Sequence, residues 1–316
     1  VIELFKRPSY DFIGRRRWAY AVSIAVMLIS LGSLGIQGLR YDLDFTGGML
    51  LQVRFGAPVD SASIRRALTT IGFGDSVIQE FGNAHEYIVR TNAAAVSSGE
   101  FSERIATALR GAPTLGAFEI RRAEYVGPQV GRDLQRQALY AVLAAVIGIL
   151  AYIGLRFDLK GRIAAVVAVF HDVIVCLGAL SLTHREFSLP VLAALLTIVG
   201  YSVNDTIVAY DRLRENRRTG TSTARPFALR MNDAINQTLS RTILTSLTTF
   251  LASAVLFLFG GETLASFAFV LTVGIVTGTY STVYIAAAIV VDWTIHVERA
   301  PRRRADAGSR EVRRHS

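Results

Sequence analysis

The sequence predicts a polytopic α-helical membrane protein: six transmembrane helices, with one small α/β domain inserted after the first. Three observations carry that prediction. The chain of 316 residues is 51% hydrophobic, with a mean hydropathy of +0.38. Its apolar residues are gathered into runs of about 18–25, the length that crosses a hydrocarbon layer of about 30 Å. Arginines crowd at alternate ends of those runs, the asymmetry that orients helices with their basic flanks in the cytoplasm. The net charge of +9 and the pI near 10.0 are therefore read as membrane orientation and not as nucleic-acid binding.

Residues 1–36 form a cytoplasmic arm and the first span. The arm is basic (Lys6, Arg7, Arg15, Arg16, Arg17) and ends at Trp18, a residue type favoured at the interface. The run from Trp18 to Ile36 is long enough to remain as an anchor. Residues 37–136 are polar enough to lie outside. There Gly48 to Phe55 alternates, with Leu51, Val53 and Phe55 on one face and Gln52 and Arg54 on the other, which predicts a strand. A helix follows from Ser61, with Ile64, Ala67, Leu68 and Ile71 at helical spacing and Gly72 as its stop. Ser76–Phe81 and His85–Arg90 read as a hairpin turned at Gly82-Asn83. A second helix runs from Ser98 through Phe101, Ile105 and Leu109 to Gly111, and Phe118–Val126 is the last strand. The order βαββαβ is ferredoxin-like. His85 stands alone in a turn and reads as a solvated loop residue.

Residues 137–296 hold the other five spans: Ala138–Leu155, Ile163–Leu182, Leu189–Arg214, Thr242–Phe259 and Phe267–Trp293. The connection at about 211–240 is cytoplasmic and carries an amphipathic helix, with Phe227, Met231, Ile235 and Leu239 four residues apart. A basic tail, 297–316, closes the chain. The one cysteine, Cys176, falls within a span, so neither a disulfide nor a thiolate metal site is expected.

There is no HExxH, GxSxG, Walker A or CxxC motif, so the chain is read as a non-enzyme without a metal or cofactor. Its chemistry lies in polar residues inside the spans. Asp205, next to Asn204, lies roughly 10 Å inside the cytoplasmic end of span four, too deep for so short a side chain to reach water. Such a residue costs about 2.5–3.5 kcal/mol. It is either a proton-carrying group or a structural partner of a neighbouring helix. His171-Asp172 lies near the middle of span three, at a depth close to that of Asp205, so the two carboxylates are expected to face one another. Arg241 opens span five, ahead of Thr242, Thr245, Ser246, Thr248 and Thr249. Because arginine keeps its proton, it can hold or release a carboxylate by charge alone; the other reading is an interfacial anchor. Gly274 and Gly278 form a GxxxG on span six, a spacing that permits close helix approach.

Four stretches carry a family resemblance: Asp44 to Gly48 (DFTGG), Val126-Gly127-Pro128, Gly200 to Asn216 (GYSVNDTIVAYDRLREN) and Asn236 to Thr249 (NQTLSRTILTSLTT). In that order they resemble the SecF family of SecDF protein-export complexes, in the resistance-nodulation-division superfamily. The resemblance implies an inner-membrane subunit with cytoplasmic termini and a periplasmic domain. It implies pairing with SecD beside the SecYEG translocon, with YajC as a further partner and exported unfolded polypeptide as substrate. The energy source it implies is the proton gradient. By motif, Asp205 corresponds to the proton-carrying aspartate and Arg241 to the arginine that acts on it. Asn204, Asp172 and His171 are added as supporting polar residues from depth and spacing. Asp44, Gly47 and Gly48 read as a hinge or as a simple tight turn. Two other readings stay open: half of a proton-coupled small-molecule exporter, and a scaffold that stabilises the translocon without driving it.

Overall fold

The computed structural model describes residues 8–81, 83–91, 98–219 and 225–297. The start of the basic arm, Gly82 of the hairpin, part of the 211–240 connection and almost all of the basic tail lie outside the described residues. In chain order the elements are α1 (Arg16–Ile36), β1 (Arg40–Tyr41), α2 (Leu43–Thr46), β2 (Gly48–Phe55), α3 (Ser61–Thr69), β3 (Val77–Phe81) and β4 (Asn83–Thr91). They continue with α4 (Ser98–Arg110), β5 (Phe118–Val126), α5 (Pro128–Arg156), α6 (Leu159–Leu182), β6 (Glu186–Phe187), α7 (Leu189–Arg218), α8 (Phe227–Phe259) and α9 (Gly261–Ser281). After α9 the chain makes a π-helical stretch, Thr282–Ala286, and stays helical to Val297. The chain divides into two compact units: a helical one (Val1–Leu39, Ala144–Arg185, Ala193–Ser316) and a mixed one (Arg40–Leu143, Glu186–Leu192).

In the mixed unit, strands β3-β4-β2-β5 form an antiparallel sheet, the ferredoxin-like order. The alternation in β2 works as expected. Met49, Leu51, Val53 and Phe55 are buried with Ile64 and Leu68 of α3 and Phe101, Ile105 and Leu109 of α4. Asp60 caps α3 by accepting from the Ala62 N–H, which satisfies a donor that a helix start leaves free. One pairing is new to the sequence reading. The Thr183–Ser188 turn supplies β6, which pairs in parallel with β1, and Glu186 accepts a forked hydrogen bond from Arg90 of β4. Glu186–Leu192 therefore belongs with the inserted domain, whose compact unit otherwise runs from Arg40 to Leu143.

Among the described residues, six helices are long and apolar enough to cross a membrane. Several run past the expected spans. Helix α5 starts at Pro128, ten residues before Ala138, because Pro suits a first helical turn and nothing between Gln129 and Ala138 breaks the helix. The amphipathic segment and span five are one helix, α8, since Ser240-Arg241 carries no breaker. At about 1.5 Å per residue α7 and α8 are roughly 45 and 50 Å long, so both extend well beyond the hydrocarbon. Arg156 at the end of α5 pairs with Asp211, and Arg214 donates to the Arg156 carbonyl at 2.9 Å, fastening the basic ends together.

Glycines set the closest approaches. A Cβ on Gly178 of α6 would lie 2.2 Å from the Ser30 Cβ and 2.6 Å from the Ser30 Cα on α1. One turn further along this seam the Ser33 and Ser181 hydroxyls share a hydrogen bond of 2.7 Å. Gly178→Leu should therefore force α1 and α6 apart. We expect a loss of about 1–3 kcal/mol, read as a lower thermal midpoint in mild detergent, whereas Gly200→Ala, with no atom within 4 Å of its Cβ, should leave it unchanged.

Candidate functional site

The candidate site lies in the helical unit, on the seam of α6, α7 and the last helix. Asp172 is fully buried. Its Oδ2 accepts from Ser202 of α7 and from Ser281 of α9, both at 2.7 Å, and its Oδ1 lies 3.0 Å from His171 Nδ1. Three helices thus meet at one carboxylate. The serines reach it because α7 and α9 pack closely: a Cβ on Gly274 would fall 2.5 Å from Ile198, and one on Gly278 3.2 Å from the Ser202 Cβ. The GxxxG spacing is used as the sequence suggested.

One turn beyond Ser202, Asp205 and Thr206 occupy the same buried face of α7. Asp205 is 3% exposed, and its Oδ2 is buried with no hydrogen-bond partner among the described residues. The expectation that Asp172 and Asp205 face each other is replaced by a staggered arrangement. Counted from the ends where α6 and α7 approach β6, Asp172 is about 15 Å along its helix and Asp205 about 24 Å, so Asp172 meets Ser202 instead. Thr206 and Thr282 hydroxyls join at 3.2 Å, and Tyr210 Oη donates to the Ala286 carbonyl at 3.2 Å. The π-helical stretch therefore lies directly against the Asp205 turn. Its i to i+5 bonding disturbs the regular ladder, as such turns often do at functional sites.

Arg241 is on the neighbouring helix α8, exposed on the surface of the chain. Among the described residues it makes no contact of ion-pair length with Asp205. Between α7, α8 and α9 runs a chain of hydroxyls: Tyr201 donates to Ser246 at 3.1 Å, and Ser246 joins Thr279 at 2.8 Å. Thr245 and Thr249 of α8 are exposed and bond back to their own backbone instead of joining that chain. Asn204 is also exposed and lies outside the seam. His171 is buried, and its Nε2 lacks a partner among the described residues.

Sequence reasoning missed two features. Asn232 and Asn236 of α8 clasp the N-terminal arm: Asn236 Oδ1 accepts from the Tyr10 N–H at 2.9 Å, and both side-chain amides donate to the Tyr10 carbonyl. An Asn pair four residues apart, facing an extended arm, was the available signal. The π-helical stretch had none.

In the mixed unit, the DFTGG segment is a tight turn held on several sides. Asp42 caps α2 through the Leu43 N–H at 2.7 Å. Burial, with the nearby Asp42 charge, pushes the Asp44 carboxyl above the usual range. Phe45 is buried against Phe187, and its carbonyl accepts from Gln135. Gly47 and Gly48 have φ of 66° and 117°, values that favour glycine. A Cβ on Gly131 of α5 would lie 3.2 Å from the Gly47 nitrogen.

Comparison with known proteins now bears on this geometry. Residues 105–296 match the family described as protein export membrane protein SecD/SecF, C-terminal, and residues 32–59 match the SecD/SecF GG motif. A protein translocase subunit SecF of Desulfurispirillum indicum is 45% identical, with 89% of this chain and 91% of that protein aligned. The chain belongs to the SecF family. The Pseudomonas aeruginosa SecF is 41% identical over 90% of this chain and 92% of its own length. The crystal structure of SecDF from Thermus thermophilus, titled a translocon-associated membrane protein, superposes with a TM-score of 0.80 at 38% identity. It covers 91% of this chain, which spans 39% of that longer one. A SecDF structure in a super-membrane-facing form gives a TM-score of 0.67 at 37% identity, covering 98% of this chain and 41% of its own. Six apolar helices long enough to span a membrane, with an inserted β-sheet domain, are the architecture this family member shares with SecDF.

Because Ser202 and Ser281 donate to the same oxygen, their removal should not be additive. Each single Ser→Ala should cost about 0.6–1.7 kcal/mol, and the double variant more than the sum, since Oδ2 then has no donor. A double-mutant cycle by thermal unfolding in detergent checks this; strict additivity would mean that the two hydroxyls act independently.

Proposed function

We propose that this chain is the SecF half of a proton-driven export motor, in which Asp205 carries the proton and Arg241 gates it. The observation that carries the proposal is the contrast between two buried carboxylates. Asp172 has its oxygens occupied by two serines and a histidine, as a helix-packing group should. Asp205 is equally buried and leaves an oxygen without a donor. An orphaned carboxyl is costly as an anion and is poised to accept a proton. With Arg241 drawn closer it becomes an anion again. Alternation between those two states would take a proton from one side and release it on the other. One charge moved through 100 mV supplies about 2.3 kcal/mol, enough to bias a two-state movement roughly fiftyfold.

In this reading the basic ends of α5, α7 and α8 are cytoplasmic, with both termini, and the mixed unit is periplasmic. SecD covers the surface bearing Arg241 and Asn204, two exposed polar residues that would be unfavourable against lipid. The assembly works beside SecYEG, with YajC as an accessory partner, and the moved substrate is unfolded exported polypeptide. Asp172 and His171 hold the seam in register, and Asp44, Gly47 and Gly48 transmit movement as a hinge.

Two measurements test this. In vesicles carrying the whole complex, Asp205→Asn should abolish gradient-dependent export. Adding Arg241→Met should then cost little more, Arg241→Lys alone should keep partial activity because the planar fork is lost, and normal export by a correctly inserted Asp205→Asn protein would refute the assignment. A cysteine at the exposed Thr114 should react with an impermeant thiol reagent from outside and one at Arg218 should not; the reverse would overturn the orientation.

A further inference from the structure

Where α6, α7, α8 and the last helix meet at their basic ends, the helical unit has a partly open cavity of about 590 Å³, within the size range of small-ligand sites. Lys160, Arg214, Arg217 and Arg230 line it, against the single carboxylate of Asp158. That carboxylate is already engaged, accepting from the Gly161 N–H to cap α6. Among the described residues, none of the four cations lies within ion-pair distance of a carboxylate. Arg230 is held over the Phe227 ring, its carbon 5.4 Å from the ring centre, and its Nε is buried without a hydrogen-bond partner among the described residues. Lys160 has only a 3.3 Å bond to the Thr294 hydroxyl. Helix α8 opens at this cavity with no side-chain cap, so the positive end of its dipole adds to the field. Four like charges gathered around one hollow repel each other unless an anion fills it.

We infer that this cavity binds the phosphate of an anionic phospholipid headgroup, with Arg230 and Arg217 as its principal ligands. Depth favours the lipid as the source. Lys160 stands roughly 33 Å along α6 from Leu182, and Arg214 roughly 38 Å along α7 from Leu189, which is the headgroup level of a bilayer about 40–45 Å thick overall. The walls have the mixed character such a ligand needs: Leu213, Phe227 and Val290 stand beside the cations and suit the glycerol and upper acyl chain. Basic pockets between membrane helices take lipid phosphates in this way. The motor reading uses none of these residues.

The test uses the full chain in neutral detergent with equal amounts of phosphatidylglycerol and phosphatidylcholine, with bound lipid counted by native mass spectrometry. Phosphatidylglycerol should be retained preferentially. The Lys160→Gln/Arg217→Gln/Arg230→Gln variant should lose that retention by about fivefold for each cation removed. Arg225→Gln, outside the cavity and paired with Asp233, should retain it. Arg217→Gln alone, at an exposed position whose loss should not disturb folding, should show a fivefold fall. Equal retention of the two lipids, or no change in Arg217→Gln and the triple variant, would overturn the inference. Inorganic phosphate bound by the same residues without any lipid preference would overturn the lipid source and assign the cavity to a soluble phosphate.

Discussion

Two serine hydroxyls on one carboxylate oxygen hold the helical unit in register. Ser202 and Ser281 reach Asp172 Oδ2 at the same 2.7 Å, and they do so from different helices. No water is available in a hydrocarbon core to complete a buried carboxylate, so the donors must come from protein. That requirement fixes the rotation of α7 and α9 about their axes. With Ser202 turned inward, residues three, four and eight positions further on share the same face: Asp205, Thr206 and Tyr210, all buried. The small residues at 274 and 278 are the steric side of the same constraint, since a larger side chain would hold the serines out of reach.

The seam also explains how two buried aspartates come to have different partners. Asp172 has two serines and a histidine against its oxygens. Asp205, one turn away, faces the region where the last helix departs from regular bonding and where the nearest cation is on a different helix. In the proposed motor, a small sliding of α8, which carries Arg241 and supplies no donor to Asp172, would change the separation between Asp205 and Arg241. The hydroxyls of Tyr201, Ser246 and Thr279 bridge α7, α8 and α9. Rigid and adjustable contacts are thus separated by a single helical turn.

Much of this was legible in the sequence. Strands β2 and β5 fall on the expected residues, because the alternation from Leu51 to Phe55 and the bounding glycines leave little choice, and the ferredoxin-like order follows from the pattern of short elements. The membrane helices were recognised by composition, but their ends were not: α5, α7 and α8 continue into water, where hydropathy falls while helix propensity does not. The importance of Asp205 was visible because a charge inside an apolar run is expensive. Its stagger against Asp172 was not, since depth counted from helix ends ignores how far each helix projects. The β1–β6 pair was hidden by its length of two residues, too short for any periodicity. The clasp of Asn232 and Asn236 on the arm depends on contacts more than 200 positions apart in the chain, so the spacing of the two Asn residues marks a face without naming what it holds.

The central claim is that Asp205, and not Asp172, is the carboxyl group that changes protonation within the membrane. Infrared difference spectroscopy of the complex in lipid, recorded as the pH on one side is stepped, reads that directly through the carboxyl C=O stretch. The account predicts a carboxyl band that is absent in Asp205→Asn and still present when His171 is replaced by Gln beside Asp172. A band that survives in Asp205→Asn and shifts on altering His171 would place the titrating proton on Asp172 and contradict the account.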